Sequence, residues 1–359
     1  MTAKSSHSLK ISGQTALENQ PLAISFAPAV VYVPATATSR GGLFNTDGSP
    51  IPTAINHRGN QAHLSASIDK TIDISALPII ENDREFFFIG EINPHYGHFL
   101  LESTTRLWPL LHWRGGFSGN LLYLGPPAVV AKKTFIRQVF ESHGLDGKDF
   151  NAYQAPCKIK NVFIPAPAFE IRLRAHHLFC ETLQHSGRHL GGDLEIINNT
   201  NLTPLYLSKA KLSSGVSCIT NEAAIEVALR KAGVDILHPE TLSLPDQIRK
   251  LASRKYLLGS VGSALHTLLF CPGGKIISGV SLGDKINANY IMIDQLCGNT
   301  GHYRANADMA ISMTDNATTG AARFMRTFHA HQPDYVAEQL LAGLQNPIPF
   351  YLPNASKTE

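Results

Sequence analysis

From Leu205 to Val280 the sequence alternates short apolar β-type runs with helical stretches, and nothing else in the chain constrains its fold as strongly. The expected order is strand 205–208, helix 221–232 closed by Gly233, strand 234–237, helix 244–254, strand 256–259, helix 263–270 and strand 275–280. Strand–helix–strand units cannot close as hairpins, so they form a parallel sheet with right-handed crossovers. Ser243, three residues ahead of Asp246 and with Pro245 in the first turn, marks one helix start.

A looser alternation precedes this one. Phe86-Phe-Phe-Ile89 reads as a buried strand, 97–113 as a helix kinked at Pro109, 121–124 as a strand, 131–143 as a helix and 161–164 as a strand. A helical stretch near 172–190 ends at Gly191-Gly192, and the polar segment 198–203 reads as a linker. Residues 1–80 carry short β-type runs such as Val30-Val-Tyr-Val33 and an Asp47-Gly48 turn signal, with no long helical period. A chain of 359 residues exceeds the usual size of a single core, so two domains are expected. The expected fold class is α/β: two Rossmann-like domains, 81–195 and 196–333, facing a cleft. A β-rich segment, 1–80, belongs to the first domain, and a C-terminal helix (Tyr335 to Leu344) and tail occupy 334–359.

Composition removes several classes of function. A net charge of +3 without a long Lys/Arg run gives no footprint for nucleic acid. Five cysteines, odd in number and without a C-x-x-C pair, indicate neither a disulfide framework nor a zinc ribbon. The polar N-terminus leads into no apolar signal region, and no stretch approaches the roughly 20 apolar residues of a membrane span. The expected location is the cytoplasm, with no transmembrane segment.

Two constellations carry chemistry. In the first, His98, Glu102 and Arg106 recur every fourth position, so a helix places them on one face, just after the strand at 86–89. An imidazole accepts a proton from a hydroxyl, a carboxylate one turn away orients the ring or is itself the base, and Arg106 would keep Glu102 ionised. Asn93 and His95 lie on the approach to the helix. A simple salt-bridged helix explains the same spacing, and the sequence leaves both readings open.

The second is Gly259-Ser-Val-Gly-Ser-Ala-Leu-His266, which follows a strand and opens a helix. Gly259 and Gly262 permit close backbone approach, and the helix start at Ser263, Ala264, Leu265 and His266 offers N–H groups to an anion such as a diphosphate. It is neither a Gly-x-Gly-x-x-Gly dinucleotide fingerprint nor a P-loop. A tight strand–helix turn is the alternative. Ser208, Lys209 and Lys211 sit at the carboxyl end of the strand at 205–208, and Asn221-Glu222 opens the next helix, where a plain cap would also account for them.

Together these segments resemble family 61 glycosyltransferases, in order and roughly in spacing. The matching stretches are Asn93 to Trp108, Tyr206-Leu-Ser-Lys209, Asn221-Glu222, Pro239 to Gln247 and Gly259 to Pro272. Asn93 and His98 stand slightly further apart than in the family pattern. Lys209 takes the place of a usual arginine and Val261 that of a frequent histidine. The resemblance implies a GT-B-like fold with an acceptor-side first domain and a sugar-nucleotide second domain. It also implies an inverting transfer without a bound metal, from a nucleoside-diphosphate sugar, with a UDP-sugar expected, to a glycan hydroxyl. No cofactor is implied, and the chain lacks an Asp-x-Asp motif. His98 and Glu102 would be catalytic, supported by Asn93, His95 and Arg106. Ser208, Lys209, Lys211, Asn221, Glu222, Gly259, Gly262, Ser263, Ala264, Leu265 and His266 would bind the nucleotide sugar. The implied partners are the nucleotide sugar and a glycan or lipid-linked glycan, in capsule or exopolysaccharide synthesis. A peripheral place at the inner membrane face is compatible with this.

Three other readings compete. A metal site could be drawn from His176, His177, Cys180, His185 and His189, but no H-E-x-x-H pattern is present and surface histidines explain the run. A non-catalytic glycan- or nucleotide-binding protein of GT-B-like fold would keep the cleft and lose the base. A glycosidase would need two opposed carboxylates, to which nothing in the sequence points.

Overall fold

The computed structural model describes residues 9–36, 41–59, 61–62, 68–69, 71–80, 84–112, 120–126, 128–314 and 324–345. The first eight residues and the tail beyond residue 345 lie outside the described residues. The chain divides into two compact units, Gly13–His189 and Leu190–Glu359, and the second of these takes in Met1–Ser12. The opening strand β1 (Lys10–Ser12) therefore belongs with the C-terminal unit.

In the Gly13–His189 unit the first strands are β2 (Ala16–Glu18), β3 (Ile24–Val33), β4 (Gly42–Phe44), a hairpin of β5 (His57–Arg58) and β6 (Gln61–Ala62), and β7 (Ile79–Ile80). After β8 (Phe86–Glu91) come α1 (Tyr96–His98), a π-helical turn (Phe99–Ser103), α2 (Pro109–His112), β9 (Leu121–Leu124), α3 (Val129–Lys132) and α4 (Thr134–Glu141). The unit closes with β10 (Phe150–Asn151), β11 (Cys157–Pro165), β12 (Phe169–Glu170), β13 (Arg174–His176) and α5 (His177–Gly191).

Seven of these strands form one sheet, β10-β9-β8-β11-β3-β4, with β7 also paired to β11. Strands β8 to β11 run parallel, as alternation with helices demands, whereas β3 and β4 are antiparallel. The wholly parallel sheet expected here is thus mixed, because the ten-residue β3 pairs along β11 and needs no crossover to do so. Period-two alternation divides β3 between two faces: Val30 and Tyr32 pack with Phe86, Phe88, Leu122 and Ile159, and Val31 and Val33 pack with Phe44.

The helix expected at 97–113 is broken. It widens into the π turn at Phe99–Ser103, after which Thr104 Oγ1 donates to Leu100 O (2.7 Å) and Thr105 Oγ1 to Glu102 O (3.1 Å). Hydroxyls that occupy carbonyls in this way compete with the helical ladder, and the chain leaves the helix there. The helix expected at 131–143 likewise splits at Lys133, which is extended.

The C-terminal unit contains α6 (Leu194–Ile197), β14 (Leu205–Leu207), β15 (Gly215–Ile219), α7 (Glu222–Lys231), β16 (Asp235–Leu237), α8 (Leu244–Ser253) and β17 (Tyr256–Ser260). A 3₁₀ helix (Ser263–Phe270) follows, then β18 (Ile276–Ser281), β19 (Lys285–Asn287), α9 (Ala288–Leu296), β20 (Thr300–Ala305), β21 (Ile311–Thr314), β22 (Phe324–Ala330) and α10 (Pro333–Leu344). Ser243 caps α8 as its spacing to Asp246 suggests, its Oγ accepting from Asp246 N.

Its main sheet, β16-β14-β17-β18-β20, is parallel throughout. Numbered by their order in the chain, these strands stand 2-1-3-4-5, a doubly wound arrangement with its switch point between β14 and β17. Tyr206, Leu258 and Val280 pack under Ile225 and Leu229 of α7 and Val336 and Leu340 of α10. Strands β15, β22 and β21 make a second sheet, and β1 pairs in parallel with β19.

The segment read as a linker is instead a clamp. Lys275 Nζ donates to Asn198 Oδ1 (2.7 Å), Asn199 Oδ1 (2.8 Å) and Ala252 O (2.8 Å). No helix among the described residues is long and apolar enough to cross a membrane.

One buried acid in this unit has a consequence for stability. Asp294 accepts from Tyr303 OH (2.8 Å), and a Cβ at Gly301 would fall 2.1 Å from its Oδ2, so only glycine admits it. Burial pushes its carboxyl up to about 7, against the smaller lowering effect of the tyrosine bond. The unfolded chain releases this proton near the ordinary carboxyl value and the folded chain holds it until about pH 7, so the group costs stability increasingly as pH rises through that window. Asp294→Asn, which keeps an acceptor for Tyr303, is expected to be more stable than the parent at pH 8 and equal to it at pH 4, as read from urea unfolding curves at both pH values.

Candidate functional site

The first constellation forms around a buried carboxylate. Glu102 lies in the π turn with its side chain 7% exposed, and its Oε2 is 3.0 Å from His98 Nδ1. The guanidinium of Arg58, delivered by β5, takes both oxygens, with Nε donating to Oε1 and Nη2 to Oε2 at 2.8 Å. Arg58 Nη2 also stands 3.3 Å from His98 Nδ1. The His98 side chain is 41% exposed, so one edge of the ring faces outward while Nδ1 is committed inward. His95 lies edge-on to His98, with ring centroids 5.3 Å apart, and burial and then the His98 charge hold its imidazole below the usual value. Asn93 shapes the approach: its Oδ1 accepts from His95 N (3.0 Å), and its own N–H donates to Ser103 Oγ.

Arg106 does not join this group, and here the sequence expectation is corrected. Once the chain leaves the helix after Ser103, four-residue spacing no longer sets direction. Arg106 is fully buried and donates to Thr53 O (2.6 Å), Pro165 O, Ile55 O (3.2 Å) and Asn56 Oδ1 (2.7 Å). Burial lowers its guanidinium to about 9. Arg58 compensates Glu102 instead. No local pattern marks Arg58 in the sequence, because its partner lies 44 residues away.

The second constellation sits at the switch point of the parallel sheet. Lys209 follows β14 and the Val261-Gly262 turn follows β17, and Lys209 Nζ donates to Val261 O at 3.0 Å. A Cβ on Gly262 would approach Lys209 Nζ to 2.7 Å, so glycine is required for the lysine to lie across the turn. Burial holds the ammonium below its usual value, opposed by the charge of Glu222. Glu222, itself buried, accepts from Tyr206 OH (2.7 Å) and Lys209 N (3.2 Å), and burial raises its carboxyl. Its Oε2 and the Oγ of buried Ser260, which the sequence did not single out, have no hydrogen-bond partner among the described residues.

The other expected nucleotide contacts separate by geometry. Ser208 Oγ donates to Glu226 Oε1 (2.7 Å), and Lys211 is exposed on the next turn. Asn221 uses both ends of its amide on the backbone of Ala330 (2.8 and 2.9 Å), which ties α7 to β22. Gly259 lies within the sheet between Leu207 and Gly279. Ser263 and Ala264 are half-buried at the 3₁₀ start, whereas Leu265 is buried and His266 is stacked on Tyr290 at 5.0 Å. The histidine run divides between elements: His176 ends β13, lies with its ring centroid 4.1 Å from that of His177 and accepts from Leu178 N, whereas His185 on α5 contacts Ser142 O and stacks on His143.

A sequence model of the glycosyltransferase 61 family matches residues 96–277, about half of the chain, from the turn that carries His98 to the start of β18. The chain belongs to glycosyltransferase family 61. It is therefore a glycosyltransferase, acting on a sugar donor and a glycan acceptor. No curated protein matches the chain. His98, Glu102 and the second constellation of this family 61 enzyme fall within the matched span, while Arg58, Asn93 and His95 lie outside it.

The Arg106 clamp gives a direct test of its reassignment. Arg106→Met would strand four oxygen acceptors and is expected to cost at least about 3 kcal/mol of stability, measured by urea unfolding. A residue that only tuned Glu102 at a half-open site would cost far less.

Proposed function

We propose that this glycosyltransferase moves a sugar from a nucleoside-diphosphate sugar, a UDP-sugar in the first instance, to a glycan hydroxyl with inversion and without a metal ion. The observation that carries the reading is the meeting of Lys209 Nζ with the Val261-Gly262 turn at the β14/β17 switch point, where doubly wound sheets bind nucleotides. A GT-B organisation follows from this proposal, the C-terminal unit holding the donor and the Gly13–His189 unit supplying the acceptor-side base.

In the proposed step His98 takes the proton of the acceptor hydroxyl while the oxygen attacks the anomeric carbon from the face opposite the diphosphate. The bond from that carbon to the diphosphate oxygen breaks, and the electron pair leaves with the nucleoside diphosphate. Glu102 orients the imidazole and stabilises the imidazolium that forms. Lys209 and the N–H groups of Ser263 and Ala264 at the start of the 3₁₀ helix meet the charge developing on the leaving group, Leu265 N being engaged with Gly262 O. Lysine in place of arginine supplies one strong charge without a bidentate fork. The five cysteines are all free, which supports a reducing compartment, and with the family resemblance this favours capsule or exopolysaccharide synthesis in the cytoplasm.

Thermal-shift titration with UDP, GDP, CDP and ADP, paired with transfer assays, tests the proposal. At least one nucleotide is expected to raise Tm. Lys209→Met should weaken its binding about ten- to a hundredfold, the loss of one charge-assisted hydrogen bond. His98→Ala should leave nucleotide affinity intact and lower turnover about a hundredfold or more. Full transfer by a folded His98→Ala variant overturns the assignment of the base.

A further inference from the structure

Arg58 lies outside the family match and outside every motif, yet its hairpin is fastened with unusual care. His57 N (3.1 Å) and His57 Nδ1 (2.7 Å) both meet Oε1 of Glu170, whose side chain is 1% exposed. The other carboxylate oxygen of Glu170 accepts from Arg174 Nε, and Arg174 Nη1 continues to Glu18 Oε2 at 3.2 Å. Gly59 N donates to Ile171 O (2.7 Å), and Arg58 bridges in parallel to Ile171. A buried acid on β12 therefore staples β5, and β5 aims one guanidinium at Glu102.

We infer that Arg58 is a positioning residue for the His98–Glu102 pair. With donors from Arg58 on both of its oxygens, Glu102 is an ionised, acceptor-only group. Two contacts compete for Nδ1: the donor Nη2 of Arg58 at 3.3 Å asks it for a lone pair, and the acceptor-only Oε2 of Glu102 at 3.0 Å asks it for a proton. The shorter contact, to a full negative charge, sets the proton on Nδ1. Nε2 keeps its lone pair and becomes the nitrogen that can receive a proton. Glu170, through His57, holds the hairpin in the register that makes this possible. The use of Nε2 as a base rests on the transfer reaction proposed above, while the tautomer itself does not.

The test uses the full-length chain labelled with ¹⁵N-histidine and read by long-range ¹H–¹⁵N correlation. The parent is expected to show His98 as the Nδ1–H tautomer, and Arg58→Met should return it toward the Nε2–H form that free imidazole prefers. Activity is read as turnover of UDP-xylose, UDP-N-acetylglucosamine and UDP-arabinose. In Arg58→Met, kcat should fall ten- to a hundredfold while affinity for UDP is unchanged. The ascending limb of the pH–rate profile should move to higher pH. Among the described residues the charged and titratable groups facing His98 are Arg58, Glu102 and His95. In Arg58→Met the cation 3.3 Å from Nδ1 is gone, which eases protonation of the ring, and the carboxylate, no longer held at both oxygens, loses its fixed hydrogen bond to Nδ1 while its charge stays nearby. Arg58→Lys keeps the charge and protects the fold, so it should hold the limb in place and recover only part of kcat, because an ammonium cannot span both oxygens.

An active enzyme whose tautomer and pH limb are unchanged in Arg58→Met, or whose Arg58→Lys variant matches the parent in kcat, overturns the inference and leaves the transfer reaction standing. A parent that turns over none of the three sugar nucleotides and whose Tm is raised by none of UDP, GDP, CDP and ADP, yet shows the Nδ1–H tautomer that Arg58→Met abolishes, overturns the proposed reaction and leaves the positioning role standing.

Discussion

Parallel strands cannot be joined by a tight turn, so each return requires a crossover, and all strands of one parallel sheet end at the same edge. In the C-terminal unit this single constraint brings the ends of β16, β14, β17, β18 and β20 together. The crossover from β14 leads toward β16 on one side, and the next leads to β17 on the other, so the chain parts above the β14/β17 pair. Lys209 and the Val261-Gly262 turn meet in that parting although 52 residues separate them. Topology delivers the lysine, and the missing side chain of Gly262 gives it room.

Where the order of elements decided the geometry, the sequence was a sufficient guide. Every strand expected between residues 205 and 280 forms, and Ser243 caps the helix it was expected to cap. Prediction weakened where a side chain's partner lay far along the chain. His98 and Glu102 meet because they are one turn apart, but Arg58, the cation that completes them, comes from a hairpin 40 residues upstream of His98 with no pattern of its own. Arg106 was misplaced for a local reason: two threonine hydroxyls end the helix before it. Asn221 sits where a cap belongs, and its amide instead recognises a strand 109 residues away. Hydrophobic periodicity carries no information about such long-range polar pairs.

The buried charges follow two different rules. Glu102 and Glu170 each meet an arginine, and both bonds are among side chains. Arg106 and Lys275 are treated as though solvated, surrounded by carbonyl and amide oxygens. A shell of neutral dipoles satisfies the terminal nitrogens of Arg106 and the ammonium of Lys275, leaving only Arg106 Nε without a partner among the described residues, and places no second full charge in the interior, which spares the fold part of the desolvation cost of a buried ion pair. The same shell draws together residues from distant parts of the chain, 50 to 59 positions away for Arg106.

The hydrogen bond between Lys209 and Val261 has a consequence of a different kind. A free lysine side chain carries about 2 kcal/mol of rotamer entropy, which an arriving ligand must ordinarily freeze out before gaining anything from the charge. Here the carbonyl of Val261 has already ordered the side chain during folding. In the proposed reaction the diphosphate would meet an ammonium that no longer has to search for it, with two N–H groups still to offer, so a smaller share of the binding free energy is lost to ordering.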